Sequence, residues 1–249
     1  MDGTATQPHR QERRRAVKPL GSKAYGSIGH LPGSRMGPAD HHIDPGQARI
    51  CTERPRPGDL VVVQEKVDGS CVAVAKLEGE IVPLIRAGYR ALDGRHEFQL
   101  HFHRWVMSHA DRFEALLADG ERVVGEWLGL AHGTRYRRLS SPFVAFDLMV
   151  GPRRSPAAET ARRCEAAGIE VAPTLTTSTD GVPLTAALDL LGPGRYDPHP
   201  DDGPEGVVYR VERHGVVDFV TKWVNPTKVD GKHLPEITGG DPHWNWPPG

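Results

Sequence analysis

Leu60-Val61-Val62-Val63-Gln64-Glu65-Lys66-Val67-Asp68-Gly69-Ser70 is the stretch that decides how the chain folds. Its first six residues are dense in valine, a branched side chain that suits a pleated surface, so they read as a strand. The strand runs into a turn at Lys66-Val67-Asp68-Gly69, which leaves a lysine at its lip. Next, Cys71 to Leu77 and Ile81 to Arg86 predict two strands joined across Glu78-Gly79-Glu80, where the glycine supplies the positive φ of a tight hairpin. Further strands are expected at Arg122 to Leu128, Phe143 to Val150, Ile169 to Leu175, Gly206 to Val211 and Val216 to Val224. Between His96 and Leu117 apolar residues recur at spacings of three and four, predicting one amphipathic helix that Gly120 ends. Ser155 as N-cap with Pro156 behind it opens a second helix that stops at Gly168, and a shorter one is expected over Leu184 to Leu191. Strands outnumber helices and hairpins join most of them. The class is therefore α+β with antiparallel sheets, not a doubly wound parallel sheet.

The chain has 249 residues, enough for one full core with appended tails. Residues 1 to 17 are polar and basic, with Arg13-Arg14-Arg15, and read as a mobile arm. Residues 18–57 are a Gly- and Pro-rich lead-in packed on the core, 58–238 the main domain and 239–249 a tail. A net charge of -1 gives no general attraction for polyanions, so any nucleic-acid surface has to be a local patch. Three cysteines without CxxC spacing suggest neither a disulfide framework nor a zinc site, and point to a reducing, cytoplasmic setting. No segment has the roughly 20 apolar residues that span a bilayer, and nothing signals an obligate protein partner. His96, His101, His103 and His109 do not share one helix face, which argues against a metal cluster.

The lysine turn gains meaning from the segments placed after it in order: Arg86, then Glu126 in Val124-Gly125-Glu126, Phe143-Val144-Ala145-Phe146-Asp147, Glu205-Gly206-Val207-Val208-Tyr209-Arg210 and Val220-Thr221-Lys222-Trp223. Each lies on an expected strand or at its end. This ordered set, spanning about Val62 to Lys228, resembles the nucleotidyltransferase motifs of ATP-dependent polynucleotide ligases and messenger RNA capping enzymes. The nearest resemblance is to phage-type RNA repair ligases. It implies the ligase adenylation fold, an ATP-grasp-like antiparallel architecture, and here an expectation of no appended OB barrel, since fewer than thirty residues come after Lys222.

The same resemblance implies roles. Lys66 takes AMP from ATP, and Lys222 sets positive charge on the α-phosphate oxygens. Glu205 holds Mg²⁺ or Mn²⁺; Glu126 serves the ribose and shares in the metal site. Phe146 stacks on adenine, with plain core packing as the alternative, while Phe143 points into the core. Glu65 meets the adenine edge, Asp68 and Gly69 shape the nucleotide turn, and Arg86 faces the nucleotide or an end phosphate, or else makes a hairpin salt bridge. A nucleophilic lysine must be neutral, so nearby positive charge from the metal and Lys222 is expected to favour loss of its proton. Two departures stand out. Val224 occupies the position of a second lysine in the fifth motif, for which Lys228 or Lys232 is a substitute, and Arg210 stands where many relatives have lysine. The expected activity is ATP-dependent sealing of RNA ends or a nicked duplex through a lysyl-AMP intermediate. The alternatives are a minimal DNA ligase, an end-adenylating enzyme, or a non-catalytic adenine-nucleotide-binding module; a guanylyltransferase using GTP is less favoured.

Overall fold

The valine-rich runs form the strands expected of them. The computed structural model describes residues 17–248, so the basic arm ahead of Val17 lies outside the described residues. In chain order the elements are β1 (Gly29–His30), α1 (Pro45–Thr52), β2 (Asp59–Lys66), β3 (Ser70–Leu77), β4 (Glu80–Ile85), α2 (Glu97–Ser108), α3 (Ala110–Leu116), β5 (Glu121–Trp127) and β6 (Phe143–Val150). Then come β7 (Arg153–Arg154), α4 (Ala157–Ala166), β8 (Thr174–Ser178), α5 (Leu184–Leu191), β9 (Gly206–Arg213), β10 (Val216–Val224) and α6 (Pro235–Thr238).

Among the described residues two five-stranded sheets result, ordered β1-β10-β9-β2-β8 and β4-β3-β5-β6-β7. Every pairing is antiparallel except β1 with β10. The class is α+β, as the sequence indicates. The turn at residues 66–70 carries the chain from one sheet to the other, so Lys66 sits where the two meet. Outside the second sheet, Phe102, Phe113, Phe143 and Trp127 pack with α2, α3 and α4, all four fully buried. Each such side chain contributes roughly 1.5–3 kcal/mol through removal from water. Outside the first sheet, Val61, Val63, Tyr209 and Val211 pack against α1 and α5. The lead-in lies on the inner side, where Ala24 and Tyr25 meet Ala73, Ala75 and Val124. No helix among the described residues is long and apolar enough to cross a membrane.

Three local expectations shift. The helix over His96 to Leu117 breaks at His109 (φ -127°) and ends at Leu116, ahead of Gly120. The Trp105 carbonyl, which should accept the His109 amide, instead accepts from Ser108 Oγ and His109 Nδ1, both at 2.8 Å, and the His109 amide turns to Val106. The strand expected over Ile169 to Leu175 lies over Thr174–Ser178. Pro173 has no N–H for a ladder, and residues 170–172 instead straddle the sheets, bonding Ala145 on one side while the Pro173 carbonyl accepts from Glu65 N on the other. At α4 the cap is Pro156 rather than Ser155, and the first helical amide, Ala157, donates to Glu212 Oε1 at 2.6 Å.

Candidate active site

Ladder register brings the distant motifs to one end of the first sheet. Lys66, the last residue of β2, stands opposite Gly206, the first of β9, so Glu205 just before it falls beside the lysine. Gly206 tolerates no side chain: a Cβ there would lie 2.0 Å from the Trp223 carbonyl oxygen of β10. Lys66 Nζ is 2.6 Å from Glu205 Oε2. On β10, Lys222 pairs with Val208 of β9 and with His30 of β1. From the facing sheet, Glu126 at the end of β5 accepts the Gly69 amide at 3.2 Å. Gly69 has to be glycine because it passes so close to β5 that a Cβ would sit 2.4 Å from the Trp127 carbonyl oxygen.

Between the sheets lies a cleft of two adjoining compartments. The larger, of about 360 Å³, is partly apolar, with Tyr25, Ile28, Phe146, Ala172 and Val208 on its walls. The smaller, of about 170 Å³, is ionic and includes Asp68, Glu205 and Lys228. Lys66, Gly69, Glu126 and Lys222 border both. Every site residue read from the sequence lines one compartment or the other, Glu65 and Arg86 belonging to the larger. Lys232 does not: it pairs with the buried Asp202 at 2.6 Å.

Phe146 owes its place to a β-bulge. Val124 pairs with Asp147 and Gly125 with Ala145, so Phe146 is the extra residue of β6. Phe143 and Ala145, before it, face the helix-covered core, whereas Phe146 and Met149 face inward. The Phe146 ring stands edge-on to Tyr25 with centroids 5.3 Å apart. Behind it, fully buried Asp147 accepts from Tyr25 Oη at 2.7 Å, Arg154 Nε at 3.0 Å and Arg210 Nη2. Arg210 thus anchors the phenylalanine segment from the opposite sheet, donating also to the Phe146 carbonyl at 2.9 Å.

Other candidates are engaged differently from what their motifs suggest. Glu65 turns its carboxylate to the Arg195 amide at 3.0 Å. Asp68 accepts from Gly133 N at 3.0 Å and Thr134 Oγ1 at 2.9 Å, while its own amide donates to Tyr136 Oη at 2.8 Å, which pins the 132–136 loop to the lysine turn. Lys228 donates to Thr134 Oγ1 and to the Gly203 carbonyl at 2.8 Å, so this buried amine braces that loop. Arg86 donates to Ser27 Oγ at 3.2 Å and makes no ion pair among the described residues, which disposes of the hairpin salt bridge.

The side chains around Lys66 pull its amine in opposite directions. Burial pushes its amine towards neutrality, but the Glu205 and Glu126 carboxylates, with Asp68 behind them, outweigh burial and hold it above its ordinary value. Lys222 goes the other way, lowered first by burial and then by the Lys66 charge. Burial pushes the Glu126 carboxyl up to about 7 against the pull of Lys66. Burial likewise pushes the facing Glu205 carboxyl up to about 8 against the pull of Lys66, so amine and carboxyl hold their protons in competition.

Sequence reasoning missed the part played by the lead-in. Tyr25 and Ile28 wall the larger compartment, and His30, Arg35 and Asp40 the smaller. Within the lead-in, His30 bonds Ser34 Oγ at 2.7 Å, and Ser34 Oγ accepts the Val224 amide at 2.9 Å. His132, 2.8 Å from Ser70 Oγ, also lines the larger compartment and had no sequence signal.

Comparison with known structures matches the fold. The chain is similar to an RNA ligase from Naegleria gruberi in a form with ATP and Mn (TM-score 0.51, 16% identity, 86% of this chain and 62% of that one). It is equally similar to the same ligase with PPi (TM-score 0.51, 17% identity, 86% and 61%). The chain thus spans less than two thirds of the length of those proteins. No curated protein matches the sequence. The RNA ligase family model matches residues 59–224, from the first residue of β2 to the last of β10 and more than half of the chain, and on that span the chain belongs to the RNA ligase family.

Proposed function

We propose that the chain is an ATP-dependent RNA ligase that works through a lysyl-AMP intermediate on Lys66. The observation that carries this reading is the position of Lys66 at the junction of an apolar compartment suited to a base and an ionic one suited to phosphates, with Lys222 bordering both. A nucleotide lying across that junction presents its α-phosphate to the amine. The similar Naegleria structures contain ATP with Mn, or PPi, which supports ATP and a divalent cation as ligands here.

The donor set fits such a cation. Among the described residues no group of three or more His, Cys, Asp or Glu side chains forms a metal cage. Glu126 and Glu205 nevertheless both border the smaller compartment, and Mg²⁺ or Mn²⁺ is commonly held by one or two carboxylates completed by substrate phosphates. Bound there, the cation supplies positive charge that neutralises phosphate oxygens and weakens the hold of Glu205 on the Lys66 proton.

The chemistry runs in three steps. Lys66, having lost its ammonium proton to solvent, attacks the α-phosphorus; a nitrogen–phosphorus bond forms, the bond from that phosphorus to the bridging oxygen breaks, and pyrophosphate leaves with the electron pair. The second amine proton is lost as the phosphoramidate forms. A 5′-phosphate oxygen of RNA then displaces Lys66, which regains a proton, and forms a 5′–5′ pyrophosphate linkage to AMP. Finally a 3′-hydroxyl attacks the RNA 5′-phosphorus, loses its proton and releases AMP. Lys222 favours the first step by facing the oxygens on which charge accumulates, Phe146 and Tyr25 orient the base, and Asp68 with Lys228 keeps the turn bearing Lys66 rigid.

Incubation with ATP, Mg²⁺ and matched nicked duplexes tests the substrate. Sealing of a nicked RNA strand in preference to DNA supports the proposal, equal or better sealing of DNA favours a minimal DNA ligase, and accumulation of adenylated ends without sealing favours an end-adenylating enzyme. Absence of any AMP adduct favours a nucleotide-binding module.

A further inference from the structure

We propose that Arg35, from the lead-in, binds the pyrophosphate portion of the nucleotide and supplies the positive charge that Val224 withholds from the fifth motif. This rests on the lysyl-AMP reading and names the leaving-group site within it.

The position comes from backbone geometry. Residues 222 and 224 share one face of β10 by strand periodicity, and both line the ionic compartment, but the second contributes only an apolar side chain. The lead-in docks on that same position. Val224 N donates to Ser34 Oγ at 2.9 Å, and Arg35 N donates to the Val224 carbonyl at 2.9 Å. Arg35 is thus held beside Val224 by main-chain contacts that do not involve its side chain, and its half-buried side chain lines the same compartment as Lys66 and Lys222.

Within the ionic compartment, the commitments of the other cations single out Arg35. Lys66 is paired with Glu205, and Lys228 is committed to Thr134 and Gly203. Lys232, the other substitute suggested by the sequence, is bound to Asp202 outside the cleft. Lys222 lies 3.9 Å from Asp40, which also stands 3.3 Å from His30. Among the described residues the Arg35 guanidinium makes no ion pair or side-chain hydrogen bond, although it faces a compartment that also contains carboxylates. A pyrophosphate leaving group, with several negative oxygens around two phosphorus atoms, matches the planar fork of a guanidinium better than the point charge of an ammonium.

The reactions that involve pyrophosphate can be separated from the one that does not. In Arg35→Ala, the KM for ATP in AMP-adduct formation and the pyrophosphate concentration for half-maximal reversal of the preformed adduct should both rise at least about tenfold. Sealing of a pre-adenylated RNA end to a 3′-hydroxyl, which uses neither ATP nor pyrophosphate, should stay within about twofold and serves as the control for folding. Arg35→Lys, which keeps charge without the fork, should fall between. Unchanged pyrophosphate and ATP dependences in a variant that forms the adduct overturn the inference. An equal loss in all three measurements also overturns it, because it marks a general structural role. If the unaltered protein forms no AMP adduct, the lysyl-AMP reading itself fails and this inference falls with it.

Discussion

Replacing Glu126 by glutamine should make the metal-free protein more stable at alkaline pH while weakening its chemistry. Glu126 sits at the end of β5, and burial raises its carboxyl from 4.5 to about 7, with Lys66 opposing. A carboxyl raised in the folded state makes that state bind more protons than the unfolded chain between those values, so stability falls as pH rises through the window. Above pH 7 the whole penalty is present. At about 1.4 kcal/mol per pH unit it reaches roughly 3.5 kcal/mol as a ceiling. Glutamine removes the charge and keeps an acceptor for the Gly69 amide. The raised value already includes the attraction of Lys66, and relaxation and water entry soften the burial penalty, so the net gain should be about 1–2 kcal/mol at pH 8 and should close towards zero by pH 5. Urea unfolding of both proteins from pH 5 to pH 8, in the presence of a chelator, measures this. An E126Q protein no more stable than the parent at pH 8, or one stabilised equally at both ends, would refute the reasoning.

Other perturbations separate the roles of individual side chains. Phe146→Ala should raise the KM for ATP about tenfold, since stacking on an aromatic ring contributes about 1–3 kcal/mol per base; an unchanged KM would return the ring to core packing. Asp147→Ala strips the counter-charge from Arg154 and Arg210 and should cost about 3–5 kcal/mol in denaturant unfolding, whereas a loss below about 1 kcal/mol would show the cluster to be marginal. Lys222→Ala should slow adduct formation about 100-fold or more with an unaltered melting temperature; an equal rate would remove it from the transition state.

How much of this was legible depends on how local each signal is. The strands around Lys66 could be read because valine-rich runs and the Glu78-Gly79 turn state their geometry within a few residues; both turn residues do adopt positive φ. The convergence of Lys66, Glu126, Glu205 and Lys222 came from the order of the motifs in the family resemblance and not from any periodicity. Phe146 was ambiguous: alternation counted forward from Phe143 turns it inward, alternation counted back from Met149 turns it to the core, and only the bulge reconciles the two. Lys228 could be named from its place after the fifth motif, but its bonds reach Thr134, 94 residues earlier, and Gly203, 25 residues earlier. The lead-in was opaque for the same reason: the contacts of Ser34 and Arg35 with Val224 are long-range, and a Gly- and Pro-rich segment has no repeat to reveal them. The contest between burial and the carboxylates at Lys66 was not legible, because a sequence gives the sign of each side chain and not its distance from the amine.

The most direct test of the central claim is intact-mass measurement after incubation with ATP and Mg²⁺, with peptide mapping of the modified residue. The account predicts a single AMP joined to Lys66 through a bond that acid and hydroxylamine cleave, and no adduct in Lys66→Ala. An AMP mapped to any other side chain, or a protein that stays unmodified, would contradict it.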